Sequence, residues 1–96
     1  MQVSFNELAE RELNDAAQYY EQERPGLGAA FIAEVQRCTA AALALPESSP
    51  VVLGNVRRWL CRGFPYGLLY TVKDDELRIL AVMNLRRRPG YWVGRI

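Results

Sequence analysis

The chain has 96 residues, of which 50% are apolar and 24% charged, and carries a net charge of +1. That length holds one domain, residues 1–96, with a thin core, since a chain of this size buries about 60–65% of its unfolded surface. The composition excludes wholesale disorder. No apolar run reaches the ~18 residues of a membrane span and the first residues lack the segments of a signal peptide, so a cytoplasmic protein without membrane contact is expected.

Residues 2–5 alternate Val3 and Phe5 with Gln2 and Ser4 and predict a short strand. Asn6 then caps a helix, with Glu7 favourable at its positive end. Ala9, Leu13, Ala16 and Tyr20 recur at helical spacing, which predicts a helix over about 7–23. Pro25-Gly26-Leu27-Gly28 breaks it. Lacking the Gly-Lys-Ser/Thr of a P-loop, this segment reads as a turn. Leu27, Phe31, Val35, Cys38, Ala42 and Leu45 mark the stripe of a second helix over about 27–44, and so short a break predicts a helix hairpin.

Pro46 and Pro50 end the helical region, and from Val51 the pattern has period two. Strands are predicted over 56–62, 68–72 and 77–83, joined by a turn at Phe64-Pro65-Tyr66-Gly67 and a charged hairpin at Lys73-Asp74-Asp75-Glu76. The tail, Asn84 to Ile96, is basic and aromatic. The fold class is therefore α+β in the order β-αα-βββ, a helix hairpin packed on an antiparallel sheet.

The chain contains no histidine, which removes the usual general base and the commonest metal ligand. Cys38 and Cys61 are too few for a disulfide framework and read as small buried apolar residues. Nothing in the sequence clusters cysteine or carboxylate at metal-ligand spacing, so neither a zinc site nor another cofactor is expected. Charge is divided along the chain. Residues 1–47 hold eight acids against three arginines, and residues 48–96 hold eight arginines and one lysine against three acids. That asymmetry predicts a basic face for an anionic partner.

Pro25-Gly26-Leu27-Gly28 with Phe31, then Val56-Arg57-Arg58, Phe64-Pro65-Tyr66-Gly67-Leu68-Leu69-Tyr70, Ala81-Val82 and Arg86-Arg87-Arg88-Pro89-Gly90-Tyr91-Trp92 together resemble a ParE-like toxin of the RelE/ParE superfamily, over most of the chain. The resemblance implies the toxin half of a type II toxin–antitoxin pair, with roles in growth inhibition and plasmid stabilisation. It implies a cognate antitoxin that wraps the toxin, two copies of each chain in the complex, and operator DNA bound only through the antitoxin. ParE-like relatives poison DNA gyrase, whereas RelE-like relatives cut messenger RNA on the ribosome. A third possibility is a degenerate member that keeps only antitoxin binding.

Ribonuclease chemistry needs a base for the ribose hydroxyl, cations for the phosphate and an acid for the leaving oxygen. By the resemblance, the matching residues are Arg62, Arg86 or Arg87, and Tyr91. The sequence departs from the ribonuclease pattern, with no lysine between Val51 and Arg62 and Asn84 where many relatives carry histidine. Arginine is a poor proton carrier at neutral pH. The expected function is therefore gyrase inhibition by binding, without catalysis.

The candidate target-binding residues are Arg58, Arg62, Arg86, Arg87, Arg88, Tyr91 and Trp92. Each has a structural reading beside the functional one. The arginines can be a solvated strand end or pair with the acidic helices, and Trp92 can fold back over the sheet. Arg57 and Arg58 face opposite sides of their strand, but the periodicity leaves open which side is buried. Tyr66 and Tyr70 fit the resemblance and read equally as buried tyrosines with satisfied hydroxyls.

Overall fold

The structure is a computed structural model that describes all 96 residues. Strand β1 (Gln2–Phe5) leads into helices α1 (Glu7–Glu23) and α2 (Leu27–Ala44), followed by β2 (Val51–Leu53), β3 (Val56–Leu60), β4 (Tyr66–Lys73), β5 (Glu76–Asn84) and a short 3-10 turn at Val93–Arg95. The sheet order is β1-β5-β4-β3-β2.

Both helices begin and end where the sequence places them. The Asn6 side chain accepts the Leu8 amide at 2.8 Å and caps α1. At the hairpin, Gly26 takes φ +89°, a left-handed conformation suited to glycine. A side chain at Gly28 would meet the Ala17 carbonyl oxygen at 2.4 Å, so glycine is what lets the helices approach. The Glu21 carboxylate accepts the amides of Gly26 and Gly28, filling the anion-binding end of α2 from within the chain. Pro25 to Gly28 is thus a turn, as the sequence suggests.

The sheet departs from expectation in two ways. It is mixed and not purely antiparallel, because β1 pairs in parallel with β5. A four-residue alternation says that a strand exists but not which way its partner runs. The second departure is β2, a hairpin partner of β3 across Gly54-Asn55. Gly-Asn is a two-residue hairpin signal, but the period-two reading from Val51 does not hold within Val51-Val52-Leu53, which is apolar throughout and has all three side chains exposed.

A bulge on β5 decides what each face of the sheet presents. Tyr70 pairs with Ile79 and Leu69 with Ala81, which leaves Leu80 extra. Leu77, Ile79 and Val82 therefore face the helices, meeting Phe31, Val35, Cys38 and Ala42. Leu80, Ala81 and Met83 face the other way with Val56, Leu69 and Trp92.

By length and composition α2 would be apolar enough to cross a membrane, contrary to the reading of the sequence, which counted only unbroken runs. Its alanines, with Phe31, Ile32 and Val35, raise that average despite Glu34 and Arg37. Here one stripe, Phe31, Val35, Cys38 and Ala42, is buried against α1 and the sheet.

Candidate functional site

The order of the strands gathers the basic residues at one end of the sheet. Leu60 pairs with Gly67 and Tyr66 with Asn84, so the end of β3, the start of β4 and the end of β5 adjoin. Arg62 follows β3 and Arg86 to Arg88 follow β5. The Leu85 amide donates to the Pro65 carbonyl at 2.9 Å, tying the two turns together. Asn84 shapes the arginine turn, its side chain accepting the Arg86 amide and its carbonyl the Arg87 amide.

The three consecutive arginines are not equivalent. Arg87 stacks on Tyr91, 3.9 Å from the ring centroid, and lies 3.6 Å from Glu12. Arg86 and Arg88 are exposed and make no side-chain ion pair or hydrogen bond within the chain. The Arg62 side chain is equally free, although its amide donates to Glu34. Arg58 runs across the tail-covered face of the sheet. A side chain at Gly67 would meet its Cγ at 3.2 Å, so the glycine makes room for it, and its buried Nε has no partner. Arg57 serves the fold, donating to the carbonyls of Glu47 and Ser49 on the loop after α2. Neither Arg57 nor Arg58 pairs with the acidic helices.

Tyr91 and Trp92 are committed inside the molecule. Trp92 is 4% exposed and covers Val56, Leu69, Leu80, Ala81 and Met83. An exposed target contact through Trp92 is therefore not what the fold offers; the indole caps the apolar sheet face. The Tyr91 hydroxyl donates to Glu12 at 2.6 Å. Burial, and then that hydrogen bond, push the phenol above its ordinary pKa.

Glu12 is the residue that the sequence reading missed. It completes the edge of β5 where β1 stops. One carboxylate oxygen accepts the Val82 amide at 3.0 Å and Arg95 at 2.8 Å, and the other accepts Tyr91 and Arg95. Arg95 donates in turn to the Leu80 carbonyl at 3.1 Å. A charge pair thus replaces the absent strand, satisfying one amide and one carbonyl. Its spacing carried no signal, because Glu12 and Arg95 stand at opposite ends of the chain. The cleft beside Arg87 is also lined by Glu12 and Asp15, two carboxylates that disfavour a phosphate there.

A second carboxylate sits on α2. Glu34 takes a two-pronged contact from Arg37, with both bonds at 2.7 Å. That guanidinium holds the Glu34 carboxyl at about 2, against the opposing effect of burial, and the Arg62 amide helps. The two free cysteines meet beside it, with Cys38 Sγ 3.6 Å from Cys61 Sγ. Cys38 is buried as expected, whereas Cys61 is only half-buried, and the two form a cluster with Glu34 that the sequence spacing does not announce. The tyrosines are structural: Tyr70 is wholly buried with its hydroxyl bonded to Ser49 and the Pro46 carbonyl, and Tyr66 packs with Tyr20 and Phe31.

The molecule is thus a small α+β protein with three unpaired arginines, Arg62, Arg86 and Arg88, at one sheet end. A family model described as the ParE toxin of type II toxin–antitoxin systems, parDE, matches residues 3–89, and the chain belongs to that family. A solved structure titled as the chromosomal ParDE TA system from P. aeruginosa is similar, with a TM-score of 0.67 at 17% identity over 90% of this chain and 97% of that one. At that identity the likeness concerns the fold. No curated protein matches the chain.

Proposed function

We propose that this toxin acts in the cytoplasm by binding DNA gyrase through the cations at the end of the sheet, and that a cognate antitoxin neutralises it. The observation that carries this reading is the lack of a free proton carrier among those cations. The chain has no histidine, and its one lysine, Lys73, ends β4 at the far end of the sheet. Tyr91, the one phenol in the tail, commits its hydroxyl hydrogen bond to Glu12, and burial holds it protonated. Arg58, Arg62, Arg86 and Arg88 remain, able to bind an anionic surface but not to exchange protons at pH 7.

Antitoxin binding is supported by unsatisfied surface. Strand β2 exposes Val51, Val52 and Leu53 on an open sheet edge, and such edges are templates for another chain. Beside it, Val52, Leu53, Leu69, Met83, Trp92 and Val93 line a groove of ≈ 280 Å³ that includes Arg58. An acidic, partly apolar antitoxin segment fits both features. The complex is proposed to hold two copies of each chain, with operator DNA bound only by the antitoxin.

The test is expression of the toxin alone, scored for the DNA damage response against translation arrest. A damage response supports gyrase. Translation arrest with messenger RNA cleavage, abolished by Tyr91→Phe, overturns this reading in favour of the ribonuclease.

A further inference from the structure

We propose that Glu34, Cys38 and Cys61 form a binding site for a thiophilic divalent cation of the zinc type, which joins α2 to the end of β3. Nothing in the proposed toxin action uses these three residues, and the site stands independently of the target.

The backbone sets the ligands in place. Glu34 and Cys38 are one helical turn apart and lie on one face of α2. Cys61 follows β3 and is held there by two amide bonds. Its own amide donates to the Tyr66 carbonyl at 2.9 Å, and the next amide, of Arg62, donates to Glu34 Oε2 at 2.5 Å. One ligand atom from each of the three residues lies within 4.8 Å of the others.

The spacing fits a tetrahedral ion. With zinc–sulfur bonds of about 2.3 Å and zinc–oxygen bonds of about 2.0–2.2 Å, two sulfurs on one ion stand about 3.8 Å apart, and a sulfur and an oxygen about 3.5 Å. Here the sulfurs are 3.6 Å apart and Cys38 Sγ is 3.4 Å from Glu34 Oε2. The two edges that meet at Cys38 Sγ therefore fit, and the third, from Cys61 Sγ to the carboxylate, lies within 4.8 Å and closes by rotation of the Cys61 and Glu34 side chains. Two sulfurs and one carboxylate oxygen favour a borderline-soft cation over magnesium or calcium, which take oxygen ligands. The fourth position is left for water.

Charge and orientation are also provided for. Two thiolates and a carboxylate around a divalent cation leave one negative charge, and the Arg37 guanidinium balances it. Arg37 Nε bonds Glu34 Oε1 at 2.7 Å and can keep that bond, and Oε2 keeps the Arg62 amide, while the ion takes the place of the Arg37 Nη2 bond to Oε2. This is the outer-shell role that fixes a ligand's direction. Binding releases both thiol protons to solvent and involves no oxidant or reductant.

The test uses the full chain, reduced, stripped with a chelator and titrated anaerobically with Co²⁺ as the probe. The expected result is saturation at one equivalent, with thiolate-to-cobalt absorption and the visible bands of a tetrahedral ion, both removed by added Zn²⁺. Cys61→Ser, which leaves one thiolate ligand, should weaken cobalt binding and lower the thiolate absorption per bound cobalt. Glu34→Gln should weaken cobalt binding at least ~10-fold, a loss no smaller than that seen when outer-shell partners are removed. Should a variant fail to fold, alkylation of the wild-type thiols is the second readout, with Zn²⁺ expected to protect both and Mg²⁺ neither. No cobalt absorption by the folded reduced chain, or affinity and absorption unchanged by Cys61→Ser, overturns the proposal. So does a pair that oxidises to a disulfide but binds no metal when reduced.

Discussion

The two faces of the sheet are closed by different means. The helix-covered face is sealed broadly, by alanines that let α1 and α2 approach and by an aromatic group of Tyr20, Phe31, Phe64 and Tyr66. The other face is sealed by one indole on the C-terminal tail, and that tail is held by one carboxylate, Glu12. A broad apolar cover spreads its free energy over many side chains, whereas a narrow one concentrates it at an anchor and a clamp. The tail cover also leaves its rim open, at β2 and around Arg58, where a mostly apolar groove adjoins an unpaired strand edge, whereas the cleft beside the helices is lined by the carboxylates of Glu12 and Asp15. The half of the surface that is cheaper to cover by another chain is therefore the tail-covered one.

The comparison breaks most visibly at the indole. Trp92→Ala should cost about 3–5 kcal/mol, the range for emptying a buried aromatic site. Substituting one alanine on the helix face by glycine should cost much less. Chemical denaturation of both variants checks this. Equal losses would mean that the tail cover is not concentrated.

Glu12→Ala comes next. It leaves the Val82 amide, the Arg95 guanidinium and the Tyr91 hydroxyl without their acceptor. Breaking a buried pair from one side costs about 3–5 kcal/mol, and the lower end is expected here because both side chains keep slight solvent contact. Hydrogen exchange should show the residue 91–96 segment and the β5 edge losing protection first, with the helix-covered face unchanged.

A smaller effect is expected at Glu34. Its carboxyl is held at about 2 in the folded chain, below its ordinary value of 4.5. A depressed folded value means that the stabilisation is present above the unfolded pKa and is lost as pH falls toward 2. In metal-free protein, Glu34→Gln should flatten the acid side of the stability profile between about pH 5 and pH 2. An unchanged slope would separate Glu34 from acid unfolding.

The helices, the β3–β4–β5 meander and the basic end of the sheet were legible because each rests on local signals: a cap, a 3.6-residue stripe, a turn dipeptide or a run of arginines. What stayed hidden is long-range. The parallel pairing of β1 depends on where a four-residue strand lands after the hairpin. The Glu12–Arg95 clamp joins residues 83 apart in sequence, and Cys38–Cys61 joins residues 23 apart. Such pairs have no characteristic spacing. The sequence also presents Arg86, Arg87 and Arg88 as one cluster, and only the fold separates Arg87, stacked on Tyr91, from its two free neighbours.

That separation supplies the most direct measurement. The proposed toxic contact falls on the free arginines Arg62, Arg86 and Arg88, and the fold rests on Arg87, Tyr91, Trp92 and Arg95. An Arg86→Ala, Arg88→Ala double variant should stay within about 0.5 kcal/mol of the parent in stability, as exposed substitutions do. On induction without antitoxin, it should no longer arrest growth. A double variant that is equally stable and fully toxic would contradict the account and move the target contact away from this end of the sheet.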